Sequence, residues 1–207
     1  MKKRIILLLI LGISITIFGQ NSESKLKMTT NYSIENKDLW NILSFEGIQF
    51  KKAIFKDTNL KDKSFHLKVK EIWDGEIVSD STIINSANFP YEQFKKINDT
   101  IFEIKVVSKL TPENKLKMNF IFPRFTVPRE FKAYKTKDSY SLRNLVSESK
   151  LEIGYNKPFV LFAYILPYHI DDNTASYCDV GNSGKDIENW GKKFGIKHYL
   201  IFELEFK

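Results

Sequence analysis

Pro158-Phe-Val-Leu-Phe-Ala-Tyr-Ile-Leu-Pro167 is the stretch that decides the fold of this chain. Eight consecutive apolar residues between two prolines leave no polar face, and a run this short and this apolar predicts a strand buried on both faces. The run is too short to cross a bilayer as a helix, which takes about 20 apolar residues. Other strands of the same chain must therefore cover it.

Amphipathic strands are predicted on both sides of this run. Apolar and polar residues alternate over residues 102–106 and 116–122, which predicts two antiparallel strands joined by a turn at residues 111–114. Asp74-Gly75 predicts a hairpin, because both residues tolerate the positive φ angles of a two-residue turn. A last strand, at residues 196–206, places four apolar side chains on one face: Leu200, Phe202, Leu204 and Phe206.

Short helical patterns interrupt the strands. Residues 38–46 have near-helical apolar spacing before Gly47, although the same residues also fit a strand. Residues 90–97 predict a helix of one or two turns, and residues 139–150 predict another behind serine caps. Residues 183–195 begin with a capping-box pattern and continue with apolar residues at helical spacing: Ile187, Trp190 and Phe194.

These patterns predict a mainly β fold, an antiparallel β-sandwich of about eight strands with two to four short helices. The 207 residues fit one domain, which we place at residues 38–207, with a core large enough to need neither a metal nor a disulfide. Residues 21–37 are rich in Ser, Asn, Lys and Thr and are predicted to be a flexible leader. At most, residues 28–34 would add an edge strand.

Residues 1–20 have the pattern of a secretory signal peptide. Three basic residues at positions 2–4 precede an apolar stretch at residues 5–18, and Gly19-Gln20 is followed by polar residues. A single membrane anchor is the alternative, but the apolar stretch is shorter than a comfortable span. A lipid anchor would require a cysteine at the cleavage point, and the only cysteine is Cys178. We therefore expect export, to the periplasm or outside the cell, with no stable membrane anchor after cleavage.

The charge of the chain does not favour nucleic-acid binding. Removing residues 1–20 takes the 32 basic residues to 29 against 25 acidic ones, a net charge of +4. Lysines dominate and are interleaved with acidic residues, and only Arg124, Arg129 and Arg143 remain as arginines. Proteins that read nucleic acids rely on arginine and on a clustered basic face. A solvated lysine surface is the better interpretation.

No catalytic, cofactor-binding or metal-binding residue is assigned from the sequence. The histidines, His66, His169 and His198, are far apart and form no zinc-binding pair. Cys178 cannot form an internal disulfide; it is either a small buried hydrophobic residue or a reactive thiol. His169 lies nine residues before Cys178, but no local pattern marks that pair as catalytic.

The connection between the last two predicted strands is the place where a site would be expected. It runs over residues 168–195, which is long for a compact domain, and residues 168–182 are its irregular part. Carboxylates and amides in this connection are the oxygen ligands that calcium prefers: Asp171, Asp172, Asn173, Asp179, Asn182 and Asp186. Their spacing does not match a calcium loop, so a solvated loop with a helix cap at Asp186 is the simpler interpretation.

Several short features resemble small exported Bacteroidota proteins of unknown function. They are the Phe-Gly-Gln ending at residues 18–20, the richness in lysine and asparagine, and residues 184–206. Asp80-Ser81-Thr82 and Asp99-Thr100-Ile101 are similar to the three-residue pattern that is glycosylated on exported proteins of that group. The resemblance implies export and a compact β-rich domain, and it implies no activity.

The sequence therefore predicts an exported binding or interaction module at the cell envelope, acting through the loops at one end of a sandwich. Its expected partner is an envelope protein or a glycan. The alternative is a hydrolase acting on envelope or host glycans or peptides, which would show two carboxylates converging in a deep cleft. A third interpretation, calcium-stabilised adhesion, predicts a melting temperature that falls when a chelator is added.

Overall fold

Two five-stranded sheets pack face to face and form a β-sandwich, which confirms the predicted fold class. The structure is a computed structural model, and it describes residues 26–31, 34–171, 174–177 and 186–207. All neighbouring strands within the two sheets are antiparallel. The described residues contain ten strands in the sandwich, against the eight or so predicted from the sequence.

The strands divide between the sheets as follows. The first sheet contains β1 (Lys27–Asn31), β2 (Ile48–Lys56), β5 (Ile101–Leu110), β6 (Lys115–Ile121) and β7 (Thr126–Lys132). The second contains β3 (Phe65–Trp73), β4 (Glu76–Asn85), β8 (Ser141–Asn144), β9 (Phe159–Ile165) and β12 (His198–Phe206). The strand orders are β1-β2-β5-β6-β7 and β4-β3-β12-β9-β8. A separate two-residue pair is formed by β10 (Tyr168–His169) and β11 (Ala175–Ser176).

Four short α-helices lie in the connections of the described chain, within the predicted number. They are α1 (Lys37–Phe45), α2 (Glu92–Lys95), α3 (Leu145–Glu148) and α4 (Trp190–Phe194). Short 3₁₀ turns occur at Thr58–Leu60, Ser86–Asn88 and Ile187–Asn189. None of the helices in the described ranges combines the length and the apolar composition that crossing a membrane requires.

The apolar run that decides the fold is β9. All of its residues are buried except Val160, which is half-buried, so the predicted burial on both faces is confirmed. β9 lies between β8 and β12, while β12 is the central strand of the second sheet and pairs with β3 on its other side. Phenylalanines of the two sheets meet between them: the ring centroids of Phe55 and Phe206 lie 5.1 Å apart, and those of Phe120 and Phe202 lie 5.2 Å apart.

The outer face of β12 is covered by the segment that contains α4. The ring of Trp190 lies 6.2 Å from that of Tyr199, and both side chains are fully buried. The Tyr199 hydroxyl donates to the carbonyl oxygen of Glu188 (2.7 Å) and accepts from the Gly191 N–H (3.1 Å). A Cβ on Gly191 would lie 2.5 Å from the Cα of Gly75, so only glycine allows this close packing. The segment is therefore fixed to both the sheet and the hairpin turn.

Local turn predictions are confirmed where the sequence was most specific. Asp74 and Gly75 join β3 to β4 with φ angles of 49° and 81°. Residues 111–114 join β5 to β6, as the alternating pattern predicts. Both turns depend on residues that tolerate a positive φ angle. In the turn between β5 and β6 that residue is Asn114, with φ of 61°.

Two segments differ from their first prediction. Residues 139–150 were predicted as a helix, but they form β8 followed by the single turn of α3. The reason is that Leu142 and Asn144 are buried alternately and pair with β9, so edge pairing replaces the first helical turn. The predicted leader, residues 21–37, contains β1, which pairs with β2 and matches the edge-strand alternative.

Candidate functional site

The two ends of the sandwich differ in chemistry. β3 runs from Phe65 at one end to Trp73 at the other, a distance of roughly 26 Å for nine residues of strand. β12 runs antiparallel to it, so Phe206 lies at the Phe65 end and His198 at the Trp73 end. We name these the phenylalanine end and the histidine end.

The phenylalanine end contains an open cavity of about 270 Å³, which we call the phenylalanine pocket. Strand ends of both sheets supply part of its wall, and loops supply the rest. The main apolar side chains are Phe65, Phe94, Ile97, Phe102, Phe122 and Phe125. An engineered cavity of about 150 Å³ lined by similar side chains holds a benzene molecule. The pocket is therefore large enough for one ring with a short chain attached.

Ring packing builds the pocket from residues that are distant in the chain. The centroids of Phe65 and Phe102 lie 4.7 Å apart and those of Phe122 and Phe125 lie 4.9 Å apart. Phe94 and Phe125 meet edge to face at 6.0 Å, a geometry that aromatic rings favour. Phe65, Phe102 and Phe122 are nearly fully buried, whereas Phe94 and Phe125 are half-buried and reach towards solvent.

A buried serine holds the covering loop in place. Ser86 Oγ accepts from the backbone N–H of Phe65 (2.9 Å) and donates to the carbonyl oxygen of Lys95 (2.8 Å). The Ile97 N–H donates to Lys63 O at 2.8 Å. The connection from β4 to β5 is thus tied to the start of β3, and this fixes one wall of the pocket.

The mouth of the phenylalanine pocket carries Arg124. Its Nη1 donates to the carbonyl oxygen of Gln93 at 2.6 Å. With the Asn98 amide oriented so that its oxygen faces the guanidinium, Nη1 also donates to that oxygen at 3.1 Å, and Nη2 donates to the same atom. Both acceptors are neutral. Among the residues that the structure describes, no carboxylate lies within ion-pair distance of Arg124.

The histidine end contains a buried cluster of polar side chains from three segments: β3, the loop before β8, and β12. Tyr140 Oη lies 2.6 Å from His198 Nδ1 and accepts from the Tyr134 N–H at 2.9 Å. The hydroxyl oxygen can accept a second hydrogen bond, so either the hydroxyl or the His198 ring donates in this contact, according to the tautomer. When the hydroxyl donates, the proton of neutral His198 is on Nε2, which lies 3.5 Å from Glu71 Oε1. Glu71 also accepts from Trp73 Nε1 at 2.7 Å.

Tyr140, His198 and Glu71 follow one another as the groups of an acid–base relay do. Their burial, however, opposes nucleophilic catalysis by the Tyr140 hydroxyl. Burial raises the pKa of the Tyr140 hydroxyl, so it stays protonated, and its side chain is nearly fully buried. Burial lowers the pKa of His198 to about 4, so its ring is neutral at neutral pH despite the nearby Glu71 carboxylate. The arrangement favours a structural role, in which the cluster fixes the end of the sandwich.

The segment where the sequence predicted a site also lies at the histidine end. His169 Nε2 lies 2.9 Å from Asp138 Oδ2, and this hydrogen bond lowers the pKa of the Asp138 carboxyl. The Tyr177 hydroxyl donates to the carbonyl oxygen of Ser139. Cys178, for which the sequence left open burial, reactivity or proximity to His169, lies outside the described residues.

The calcium interpretation is only partly covered by the structure. Asp171 and Asp186 are described, and Asp186 Oδ1 accepts from the Asn189 side chain at the start of a 3₁₀ turn. The other four predicted oxygen ligands lie outside the described residues: Asp172, Asn173, Asp179 and Asn182. Within the described ranges, no group of three or more His, Cys, Asp or Glu side chains could hold a metal ion.

Helix α1 exposes its apolar side chains instead of burying them. Phe45 is 89% exposed and Trp40 is 52% exposed, and Leu39 and Ile42 are exposed as well. No residue of α1 is buried. The predicted helix is confirmed, but it contributes little apolar burial to the sandwich.

Comparisons with protein-family models, with curated proteins and with solved structures found no match to this chain. The sequence pointed to residues 168–182 at the histidine end, whereas the phenylalanine pocket lies at the opposite end. One sequence feature could have indicated the pocket. Phe94, Phe122 and Phe125 lie at or beyond strand ends, where aromatic side chains are not needed to fill the core between the sheets.

Proposed function

We propose that this protein is an exported binding module of the cell envelope and that the phenylalanine pocket binds a small apolar ligand. The observation that carries the proposal is the pocket itself, an open cavity of about 270 Å³ with a mainly apolar wall. Small-molecule sites are concave and mostly apolar, with a few polar groups that orient the ligand. Sites at the ends of a rigid sandwich are also the usual ones, because the loops there can vary without disturbing the sheets.

The main alternative is a hydrolase, which needs two carboxylates converging in a cleft. One cavity, between the β5–β6 turn and β7, is lined by Glu113 and Glu130. Glu130 pairs with Lys115 at 3.2 Å, and the nearby Thr111 hydroxyl lowers the pKa of the exposed Glu113. A general acid requires a raised pKa. Glu113 therefore does not fit the role of a general acid in this cavity.

Filling the phenylalanine pocket is expected to abolish ligand binding. Ile101 lines the pocket and is 46% exposed, so Ile101→Trp can place an indole in the cavity without disturbing the core. The probe is 4-phenyl-1-butanol, followed by ¹H–¹⁵N NMR titration of the purified protein. A ligand of this size binds with a Kd of roughly 0.1–3 mM. We expect the variant to bind at least tenfold more weakly.

Ile77→Trp is the matched control for this experiment. Ile77 is 44% exposed and belongs to β4 near the histidine end, so the same substitution adds the same apolar surface away from the pocket. The control is expected to bind the alcohol as the unmodified protein does. If the unmodified protein shows no saturable shifts around the pocket, or if both variants bind equally, the proposed pocket function is wrong.

Export is proposed from residues 1–20 and predicts a defined N-terminus. Protein expressed with its own N-terminal segment and recovered from the envelope fraction is expected to begin at Asn21, as measured by intact-mass spectrometry. Leu8→Arg breaks the apolar stretch and should leave the chain uncleaved in the cytoplasm. Recovery of unmodified protein with Met1 retained in the cytoplasmic fraction would contradict export.

An envelope partner, a protein or a glycan, is a separate prediction from the ligand of the phenylalanine pocket. The apolar wall of the pocket does not suit a glycan, which presents mainly hydroxyl groups. A pull-down from envelope extract tests for that partner. If Ile101→Trp no longer captures a protein that the unmodified chain captures, that protein binds at the phenylalanine pocket.

A further inference from the structure

We propose that the ligand of the phenylalanine pocket is a small amphipathic carboxylic acid, with its apolar body among the phenylalanines and its carboxylate on Arg124. This inference rests on the proposed function, because it names the class of ligand for the same pocket. The pocket has room for one ring with a short chain attached. The charge at its mouth then selects the polar end of the molecule.

Arg124 is held in place without being neutralised. Its two acceptors, Gln93 O and the Asn98 amide oxygen, fix the guanidinium at the mouth but carry no negative charge. A guanidinium has five N–H donors. The donors on Nε and one on Nη2 meet no acceptor among the described residues. Adjacent N–H groups of this kind match the two oxygens of a carboxylate.

The other charged side chains at the mouth leave it net positive. Lys96 lines the pocket and adds a second positive charge, while Asp99 adds a negative one. The Asp99 carboxylate is already engaged locally, because Oδ1 accepts from the Thr100 N–H at 2.6 Å and lies 3.3 Å from the Thr100 hydroxyl. An incoming carboxylate therefore meets Arg124 and Lys96 as the available partners.

A neutral ligand would gain less from the Arg124 guanidinium at the pocket mouth than an anion would. The apolar wall residues supply burial for any apolar body, but only an anion gains charge-assisted hydrogen bonds at the mouth. Arg124 is exposed, so solvent weakens the gain. We expect the acid to bind about threefold to tenfold more tightly than the matched alcohol.

The test compares 4-phenylbutyrate with 4-phenyl-1-butanol on the purified protein at low ionic strength. Arg124→Gln keeps an amide donor at the mouth but removes the charge. It is expected to abolish the preference for the acid over the alcohol. Arg129→Gln is the control, since Arg129 binds the carbonyl oxygen of Ile83 and does not line the pocket. That variant changes the net charge equally and should keep the preference.

The possible outcomes separate the two proposals. If both ligands bind equally to the unmodified protein and both are lost with Ile101→Trp, the pocket function stands and the acid preference is wrong. If Arg129→Gln removes the preference as fully as Arg124→Gln, general charge explains it and the role of Arg124 is wrong. If neither ligand binds, the proposed function fails and this inference fails with it.

Discussion

Trp190→Ala is expected to lower the free energy of unfolding by about 3 to 5 kcal/mol. Trp190 is fully buried and covers the outer face of β12 against Tyr199. Its removal leaves a cavity and also weakens the segment whose Gly191 N–H and Glu188 carbonyl bind the Tyr199 hydroxyl. Urea denaturation at pH 7 measures the loss.

A second tryptophan provides the matched control. Trp40 lies on α1 and is 52% exposed, so Trp40→Ala is expected to change the free energy of unfolding by about 0.5 kcal/mol or less. If Trp190→Ala fails to fold, Trp190→Phe is measured instead. Its expected loss is smaller, because Trp190 Nε1 has no hydrogen-bond partner within the described chain. Equal losses for Trp190→Ala and Trp40→Ala would contradict the packing of α4.

The stability of the protein is expected to fall by about 2 kcal/mol between pH 7 and pH 5 because of His198. Burial lowers the pKa of His198 from 6.5 in the unfolded chain to about 4 in the folded one. Between these values the unfolded state binds one proton more than the folded state. Acidification therefore favours unfolding, and the contribution of His198 is lost as the pH falls from 6.5 towards 4.

His198→Asn separates this effect from other titrations. Asparagine offers Tyr140 an acceptor near the position of Nδ1, but it does not titrate in this range. Denaturation midpoints of the variant should depend on pH less steeply than those of the unmodified protein. Trp40→Ala, at an exposed position on α1, leaves all three histidines in place and should keep the original slope. An unchanged slope in His198→Asn would show that another group is responsible.

Most strands could be predicted because their side chains alternate between the core and solvent. β5 and β6 are half-buried strands with period two, and Asp74-Gly75 marks a hairpin that few other pairs would form. β9 lacks alternation, but its bounding prolines and its length identified it as a strand buried on both faces. In each case the pattern reflects burial that the sandwich itself imposes.

Residues 139–150 and α1 show where local pattern is insufficient. Leu142, Leu145 and Val146 have helical spacing, yet pairing with β9 draws Leu142 into an edge strand. Strand pairing with β9 therefore outweighed a helical spacing that extends over only a few residues. In α1 the periodicity correctly predicted a helix, but its apolar side chains face solvent, and no sequence pattern distinguishes that from burial.

The sites could not be predicted because their members come from distant segments. His198 meets Tyr140, 58 residues earlier, and Glu71 on another strand, so three unremarkable residues become one buried cluster. Arg124 lay in a proline-bounded stretch that suggested only an extended segment. Its role depends on Gln93 and Asn98, which the fold places beside it. Such convergence is a property of strand order, which a single sequence does not specify.

The central position of β12 has a consequence for biosynthesis. The other nine strands of the sandwich leave the ribosome before it does, yet β3 and β9 can pair within the second sheet only through β12. Its partner β3 lies more than a hundred residues earlier, and contacts that close such long loops form slowly. Co-translational folding therefore cannot complete the second sheet before residue 206 is made. If the chain is exported as proposed, this delay would leave it unfolded while it reaches a translocation channel.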